Sequence, residues 1–206
     1  MKNYDPALHD SAINVVKERL ASIKEGDESL IEAIRMLDFL DEMTNIFSLH
    51  IGDLESAMDE SGEIIAHLKQ ILDELKQSRR ELLNFIDSET EHLSPNLKNL
   101  AGSLLAARLI FAAGGMHNLA KMPSSTIQVL GAKKSLFKHL RRNTPPPKHG
   151  LISQHPLINT APKNKRGKLA RILAGKLAIA VRIDYYSEGE LREDLERDLN
   201  KRISRV

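Results

Sequence analysis

Residues 94–116 read SPNLKNLAGSLLAARLIFAAGGM, and this stretch decides the fold. Ser94 suits a helix N-cap and Pro95 the first helical position, where a missing N–H costs nothing. Leu97, Leu100, Leu104, Leu105, Leu109 and Ile110 then recur at helical spacing, and Gly114-Gly115 is a stop. Ala101, Gly102, Ser103, Ala106 and Ala107 are small, so a neighbouring helix can approach closely. The pattern predicts one buried helix from Pro95 to the Gly pair, at the core of a compact second domain. Arg108 interrupts its weakly polar run, and no run reaches the roughly 20 apolar residues of a membrane span.

Upstream, Leu30, Ile34, Leu37, Leu40, Met43 and Phe47 fall three or four apart and make one apolar stripe. Ile51-Gly52-Asp53 reads as the break after it. A second stripe runs Ile64, Leu68, Ile71, Leu75, Leu82 and Phe85, with Ser78 at the weak position of a heptad seam. Two such helices joined by a turn form an antiparallel, coiled-coil-like hairpin. Plain intramolecular packing accounts for the stripes; a dimerising coiled coil is the other reading. The expectation is therefore all-α, with a helical hairpin over 1–93 and a compact helical domain over 94–206.

Charge divides the chain at the same place. Residues 1–94 hold nine Lys/Arg against twenty-one Asp/Glu, a net of −12; residues 95–206 hold twenty-one against seven, a net of +14. Residues 95–183 carry sixteen Lys/Arg and no acid at all. Such a segment has no internal partners for its cations, and a polyphosphate backbone is the commonest external one. Hydrophobic content of 41 % with only 4 % aromatic residues suits helices built on Leu, Ile and Ala. The chain has no cysteine, which excludes disulfides and thiolate metal sites and fits a reducing compartment. Met1–Pro6 lacks the apolar core of a signal peptide.

Beyond Pro123-Ser124-Ser125-Thr126, a stop and cap, Ile127–Leu130 and Ser135–Leu140 flank Gly131-Ala132-Lys133-Lys134. Thr144-Pro145-Pro146-Pro147 is extended and helix-incompatible. Loop character continues to about Lys165. A helix follows from about Arg166 to Tyr186, then a charged helix over Glu188–Ser204 that reads as solvated.

Catalytic motifs are poor. Gly167–Gly175-Lys176 resembles a phosphate loop only loosely, with the wrong glycine spacing and Leu177 where Ser or Thr must bind magnesium. His149 and His155 have no carboxylate near them in sequence to complete a metal site. Carboxylate pairs for acid–base work are missing from the basic segment. No catalytic residue, metal or cofactor is assigned.

RNA-binding chemistry fits better. Lys133, Lys134, Lys138, Arg141 and Arg142 cluster with Phe137 and His139 between them; the cations neutralise phosphates and the rings stack on unpaired bases. Lys148-His149-Gly150 sets a cation and a ring beside a residue that permits close backbone approach. Lys163, Lys165, Arg166 and Lys168 gather at a helix N-terminus, which itself favours anions. Lys168, Arg171 and Arg182 then share a stripe. No clean amphipathic helix with a broad apolar face supports a membrane partner.

Three stretches together resemble a known signature. They are Ser124–Leu140 (SSTIQVLGAKKSLFKHL), Pro146–Ile152 (PPKHGLI) and Arg166–Arg171 (RGKLAR), the last continued by LAGKLAIA at 173–180 and VRIDYY at 181–186. Together with Ser94–Met116 they are similar to the Nop domain over about residues 94–203, and Leu30–His50 more loosely resembles the coiled coil preceding it. The family comprises core proteins of archaeal and nucleolar box C/D small ribonucleoproteins and a spliceosomal homologue. The resemblance implies an all-α, non-catalytic scaffold for rRNA processing. Its target is a kink-turn RNA already bound by a small ribosomal-protein-like partner. In guide particles the family also recruits fibrillarin, which performs RNA 2′-O-methylation. Gly131, Ala132, Lys133 and Lys134 would contact the RNA backbone, and Lys148, His149 and Gly150 would approach an RNA loop or stem.

The family usually has Gly-Ala-Glu-Lys where this chain has Gly131-Ala132-Lys133-Lys134. Lys133 should add phosphate affinity or alter a contact to the partner protein. Family members usually begin with a separate fibrillarin-docking domain, so only 1–93 preceding the match makes the chain a fragment or a short paralogue. Fibrillarin contact is expected only where that domain is supplied. Homodimerisation through the hairpin is the further partner implied. An archaeal-type chain would be cytoplasmic and a eukaryotic one nucleolar. The rival readings are a splicing-factor-like ribonucleoprotein protein and a self-associating interaction protein whose basic domain binds an acidic protein surface.

Overall fold

The computed structural model describes the backbone of residues 6–57, 62–132, 141, 148–187 and 190–205, with side chains from residue 27 onward within them. Regular structure among these residues is helical, without a strand. Helices α1 (Pro6–Ala57) and α2 (Glu63–Leu93) form the expected hairpin. Leu30, Ile34, Leu37 and Ile51 of α1 and Ile65, Leu72 and Ile86 of α2 are buried.

Three details differ from the sequence expectation. Helix α1 does not break at Ile51-Gly52-Asp53 but runs through to Ala57. Gly inside a helix costs about 1 kcal/mol, and continued burial of Ile51, which shares a groove with Leu72, offsets it. The seam of α2 is also shifted by one residue. Ile64 and Phe85 are 60 % and 42 % exposed, while Ile65, Leu72 and Ile86 take the centre. Adjacent apolar pairs such as Ile64-Ile65 and Ile71-Leu72 satisfy either register, so only the partner helix decides between them. On α1, Met43 leaves the inner stripe and joins Met36, Phe39 and Ile46 on an exposed face, at the three-four-three spacing of a second seam.

The quoted stretch makes two helices rather than one: α3 (Pro95–Ala101) and α4 (Ser103–Ala113). Gly102 between them has φ +78°, which ends α3, and its N–H bonds Lys98 O at 2.7 Å. The Leu100 carbonyl is taken instead by the His155 ring, 3.0 Å away. Helix α4 packs on both hairpin helices, and its Ala106, Ala107, Leu109 and Ile110 are fully buried.

Short helices α5 (Met116–Lys121) and α6 (Ser124–Val129), a 3-10 turn (Leu151–Gln154) and α7 (Pro156–Asn159) follow. They surround α8 (Lys163–Tyr186), which also meets α3 and the last helix, α9 (Glu193–Ile203). Leu169, Leu173, Ala174, Leu177, Ala180 and Val181 of α8 join Leu30, Ile34, Leu37 and Ile86 of the hairpin in one apolar cluster. The expectation that the last helix is solvated holds for its charged residues only, because Leu195 and Leu199 are buried against α8 and α3. Burying one such leucine stabilises by about 2 kcal/mol. An exposed ion pair such as Lys69–Glu55 contributes about 0–1 kcal/mol, so apolar packing holds the helices together.

Two buried carboxylates fix helix starts from afar. Ser94 is the N-cap of α3 by position, yet its side chain makes no cap bond. Asp184, near the end of α8, does so instead. Its carboxylate accepts from the Asn96 N–H at 3.0 Å, the Asn96 side-chain amide at 2.8 Å and the Leu97 N–H at 2.8 Å. The Asn96 side chain then bonds Glu190 O at 3.0 Å and Arg192 N at 2.7 Å, tying in the approach to α9. Burial pushes the Asp184 carboxyl up, against the hydrogen bonds from Asn96 and Leu97 that lower it. Asp27 of α1 accepts from the Met116 N–H at 2.9 Å. A Cβ on Gly115, whose φ is +114°, would lie 2.9 Å from that same oxygen. The other Asp27 oxygen is buried without a partner among the described residues.

Asp184→Ala should therefore lower the unfolding free energy by about 3 kcal/mol, because it orphans buried backbone donors; urea denaturation measures it, and an unchanged midpoint contradicts the cap. Asp27 predicts a pH effect. Burial, opposed by the Met116 N–H and reinforced by Glu28, raises its pKa to about 6. The folded chain therefore holds this proton more tightly than the unfolded one, and the fold loses stability as pH rises from about 4 to about 6. Asp27→Asn should gain stability relative to the parent across that window and keep the gain above it. A constant difference from pH 4 to 7 would contradict the assignment.

Candidate RNA interface

Two loops and one helix start converge. Gly131, with φ +84°, turns the chain at the end of α6, and a Cβ there would lie 2.5 Å from the Leu151 side chain. Residues 128–130 and 148–151 then run side by side. The Gly150 N–H donates to Gln128 O and the Leu151 N–H to Leu130 O, each at 2.8 Å, and the Gln128 side chain donates to Lys148 O at 2.7 Å. A Cβ on Gly150 would lie 1.9 Å from the Leu130 carbonyl oxygen. The close approach that Gly150 permits is thus to this chain's own backbone. The N–H of Ala132, the last described residue of its loop, donates to Val129 O at 3.0 Å. Lys133, Lys134, Lys138, His139 and Arg142 lie outside the described residues; Arg141 is exposed.

The Lys148 side chain lies beside the start of α8. Its Cδ is 3.8 Å from where a Cβ on Gly167 would sit, so its stem lies over the first turns of the helix at ordinary contact distance. There Lys163, Lys165, Lys168 and Arg171 are exposed, without a carboxylate partner among the described residues, and the first turn contains no acid. The open N–H groups of that turn add positive potential. His149 beside Lys148 is half-buried.

Other candidates are committed to the fold. Arg166 donates to Ala161 O and Asn159 O, each at 2.8 Å, and so fastens the turn before α8. Arg182 does the same at the end of α5, donating to Ala120 O at 3.1 Å and Met122 O at 3.0 Å. His155 caps α7. The Leu157 N–H donates to its Nδ1 at 3.1 Å, so Nε2 carries the proton that goes to Leu100 O. Burial lowers its pKa, which favours this neutral tautomer. No group of three or more His, Cys, Asp or Glu suitable for a metal occurs among the described residues.

The acid-free segment is not without carboxylate partners, as its sequence implied. Lys98 pairs with Asp87 and Glu91, and Arg108 with Asp38, all acids of the hairpin. Lys176, almost fully buried, pairs with Asp198 of α9 and lowers that carboxyl's pKa. Flanking acids thus neutralise cations on the packed sides. What stays open is the face carrying Lys148, Lys163, Lys165, Lys168 and Arg171. Sequence reasoning missed Asp184, Gln128 and Lys176. Only Asp184 carried a signal, as the first acid after the long acid-free run.

Residues 11–205 match the Nop family, described as "snoRNA binding domain, fibrillarin". The match includes the hairpin as well as the stretch from residue 94. A NOP5 family protein of Methanocaldococcus jannaschii is 48 % identical over 155 residues, 75 % of this chain and 36 % of that protein. Nucleolar protein 58 of Eremothecium gossypii is 37 % identical over 184 residues, 87 % of this chain and 34 % of that protein. This chain thus spans about a third of the length of these curated relatives. Among solved structures, a chain of a fibrillarin/Nop5p complex matches with a TM-score of 0.78 and 32 % identity, covering 97 % of this chain and 78 % of that one. With nearly its whole length matched by one profile and by that fold, the chain belongs to the Nop family.

Proposed function

We propose that this chain is a non-catalytic RNA-binding scaffold of a box C/D-type small ribonucleoprotein. The observation that carries the reading is the open cationic face of loop 148–150 and the α8 N-terminus, in a segment whose Lys98, Arg108, Arg166, Lys176 and Arg182 are engaged within the fold. A rigid basic face supplies salt-dependent affinity for phosphates. It cannot read sequence, because A-form RNA is recognised largely by shape and 2′-hydroxyls. Specificity then comes from a composite target, a kink-turn RNA together with its bound ribosomal-protein-like partner. Contact with a fibrillarin-type methyltransferase, and hence support of guided 2′-O-methylation, belongs in this reading to the domain that precedes the match in the family. The division near residue 94 separates assembly from RNA contact. Relatives named as nucleolar proteins and as an archaeal protein suggest nucleolar residence for a eukaryotic chain and cytoplasmic residence for an archaeal one.

The basic contacts are assigned to Lys133, Lys134, Lys148, Lys163, Lys165, Lys168 and Arg171, with Lys138, Arg141 and Arg142 alongside, and His139 and His149 as stacking rings. Each phosphate contact removed should lower the slope of log affinity against log salt by about 0.7–0.9. Lys133→Ala with Lys134→Ala should weaken binding to the partner–RNA complex and flatten that slope, whereas His149→Ala should weaken it at nearly constant slope. Filter binding across a salt series reads both, and unchanged affinity and slope in the double variant would remove the loop from the interface.

The exposed Met36, Phe39, Met43 and Ile46 face favours homodimerisation through the hairpin. Phe39→Glu should convert a dimer to a monomer by light scattering without changing helicity; a parent chain that is monomeric at high concentration contradicts the dimer.

A further inference from the structure

Helices α8 and α9 enclose an open groove of about 280 Å³, lined by Arg171, Ile172, Gly175, Lys176, Ile179 and Arg202. Its floor is a mid-helix glycine with no structural reason to be one. Gly175 is helical and a Cβ on it would meet nothing within 4 Å, so packing does not require its absence. Glycine there still costs helix stability relative to alanine. Its consequence is space, a flat stretch of backbone between a cationic wall on each side.

Those walls carry unspent charge. Arg171 is exposed and has no ion pair among the described residues. Arg202 donates from Nε to Asp198 at 3.3 Å, the carboxylate that also takes Lys176. Lys176 and Arg202 thus share one carboxylate while Arg171 has none, leaving a net of two positive charges around the groove. Ile179, 41 % exposed, adds an apolar patch at the rim. The groove also continues the proposed interface. Lys148 lies over Gly167, and Lys168, Arg171 and Gly175 succeed one another at the three- and four-residue steps that make neighbours on a helix surface. From Gly167 to Gly175 the track runs about 12 Å.

We propose that the α8–α9 groove is a second phosphate-binding site, which takes the backbone of an RNA strand leaving the loop 148–150 contact, with Arg171 and Arg202 on its phosphates and the sugar edge over Gly175 and Ile179. Arg202 thereby becomes an RNA contact from outside the acid-free segment. This rests on the RNA-binding reading above.

The test uses the full chain with the kink-turn RNA and its partner protein, in a salt series. Arg202→Gln should weaken binding severalfold and reduce the salt slope by about 0.7–0.9. Arg197→Gln, the same charge change at an exposed α9 position outside the groove lining, should leave the slope alone. Gly175→Leu separates binding from folding: it improves helix propensity and fills open space, so the melting temperature should rise while RNA affinity falls. Parent-like affinity and slope in both Arg202→Gln and Gly175→Leu overturn the groove while leaving the first interface intact. Equal slope losses at Arg202 and Arg197 overturn it in favour of diffuse charge, and weakened binding to the partner protein without RNA overturns it in favour of a protein contact. A parent chain that does not bind the complex at all overturns the RNA-binding reading, and the groove falls with it.

Discussion

One buried carboxylate ties the end of α8 to the start of α3. Asp184 stands in the last turn of α8, the helix surrounded by α3, α5, α6, α7 and α9, and it caps α3, the first element after the hairpin. The link is unusual in distance, joining residues 87 and 88 apart, and it relies on burial to keep water from competing. Because α8 also starts at the cationic face, the shared apolar cluster and the Asp184 cap together hold that face relative to the hairpin. Asp27 makes a second link of the same kind, from α1 to the start of α5, with one oxygen unpaired among the described residues.

Charge is then sorted by packing. The hairpin's acids are partly solvated, but Asp38, Asp87 and Glu91 reach the following helices and neutralise Arg108 and Lys98. Asp198 does so for Lys176. Arg166 and Arg182 satisfy backbone carbonyls at helix ends. Among the described residues of the acid-free segment, these commitments leave Lys148, Lys163, Lys165, Lys168 and Arg171 exposed without a carboxylate partner. A polyanion bound there meets an interface already oriented by the fold, and loses little to ordering. Gly131 and Gly150 have a structural part in this, since both are demanded by contacts within the chain and together hold loop 148–150 against the end of α6.

Helix class, hairpin and the long α8 were legible in the sequence because each rests on a period: the Leu30-Ile34-Leu37 stripe, the heptad run of α2, and the apolar-small pattern from Leu169 to Val181. What was not legible depends on partners far along the chain. The choice between Ile64 and Ile65 is made by α1. The break at Gly102 is completed by His155, which takes the Leu100 carbonyl, and a glycine amid good helix formers gives no warning of that. Gly52 carries the opposite lesson, as a glycine tolerated because Ile51 beside it is buried. At the candidate site the cation count singled out a segment, yet it could not separate Lys168, which is open, from Arg166, whose guanidinium is consumed by Asn159 and Ala161. Composition records charge; only the fold records what each charge already touches.

In the proposed function, affinity comes from the basic face and specificity from a composite surface. An electrophoretic titration at physiological salt, on a box C/D kink-turn RNA with and without its kink-turn-binding partner protein, tests it most directly. Tight binding is expected only when RNA and partner are both present, and a far weaker, sequence-indifferent complex with RNA alone. Equal affinity for any RNA, with or without the partner, would contradict it and reduce the face to a nonspecific polyanion site.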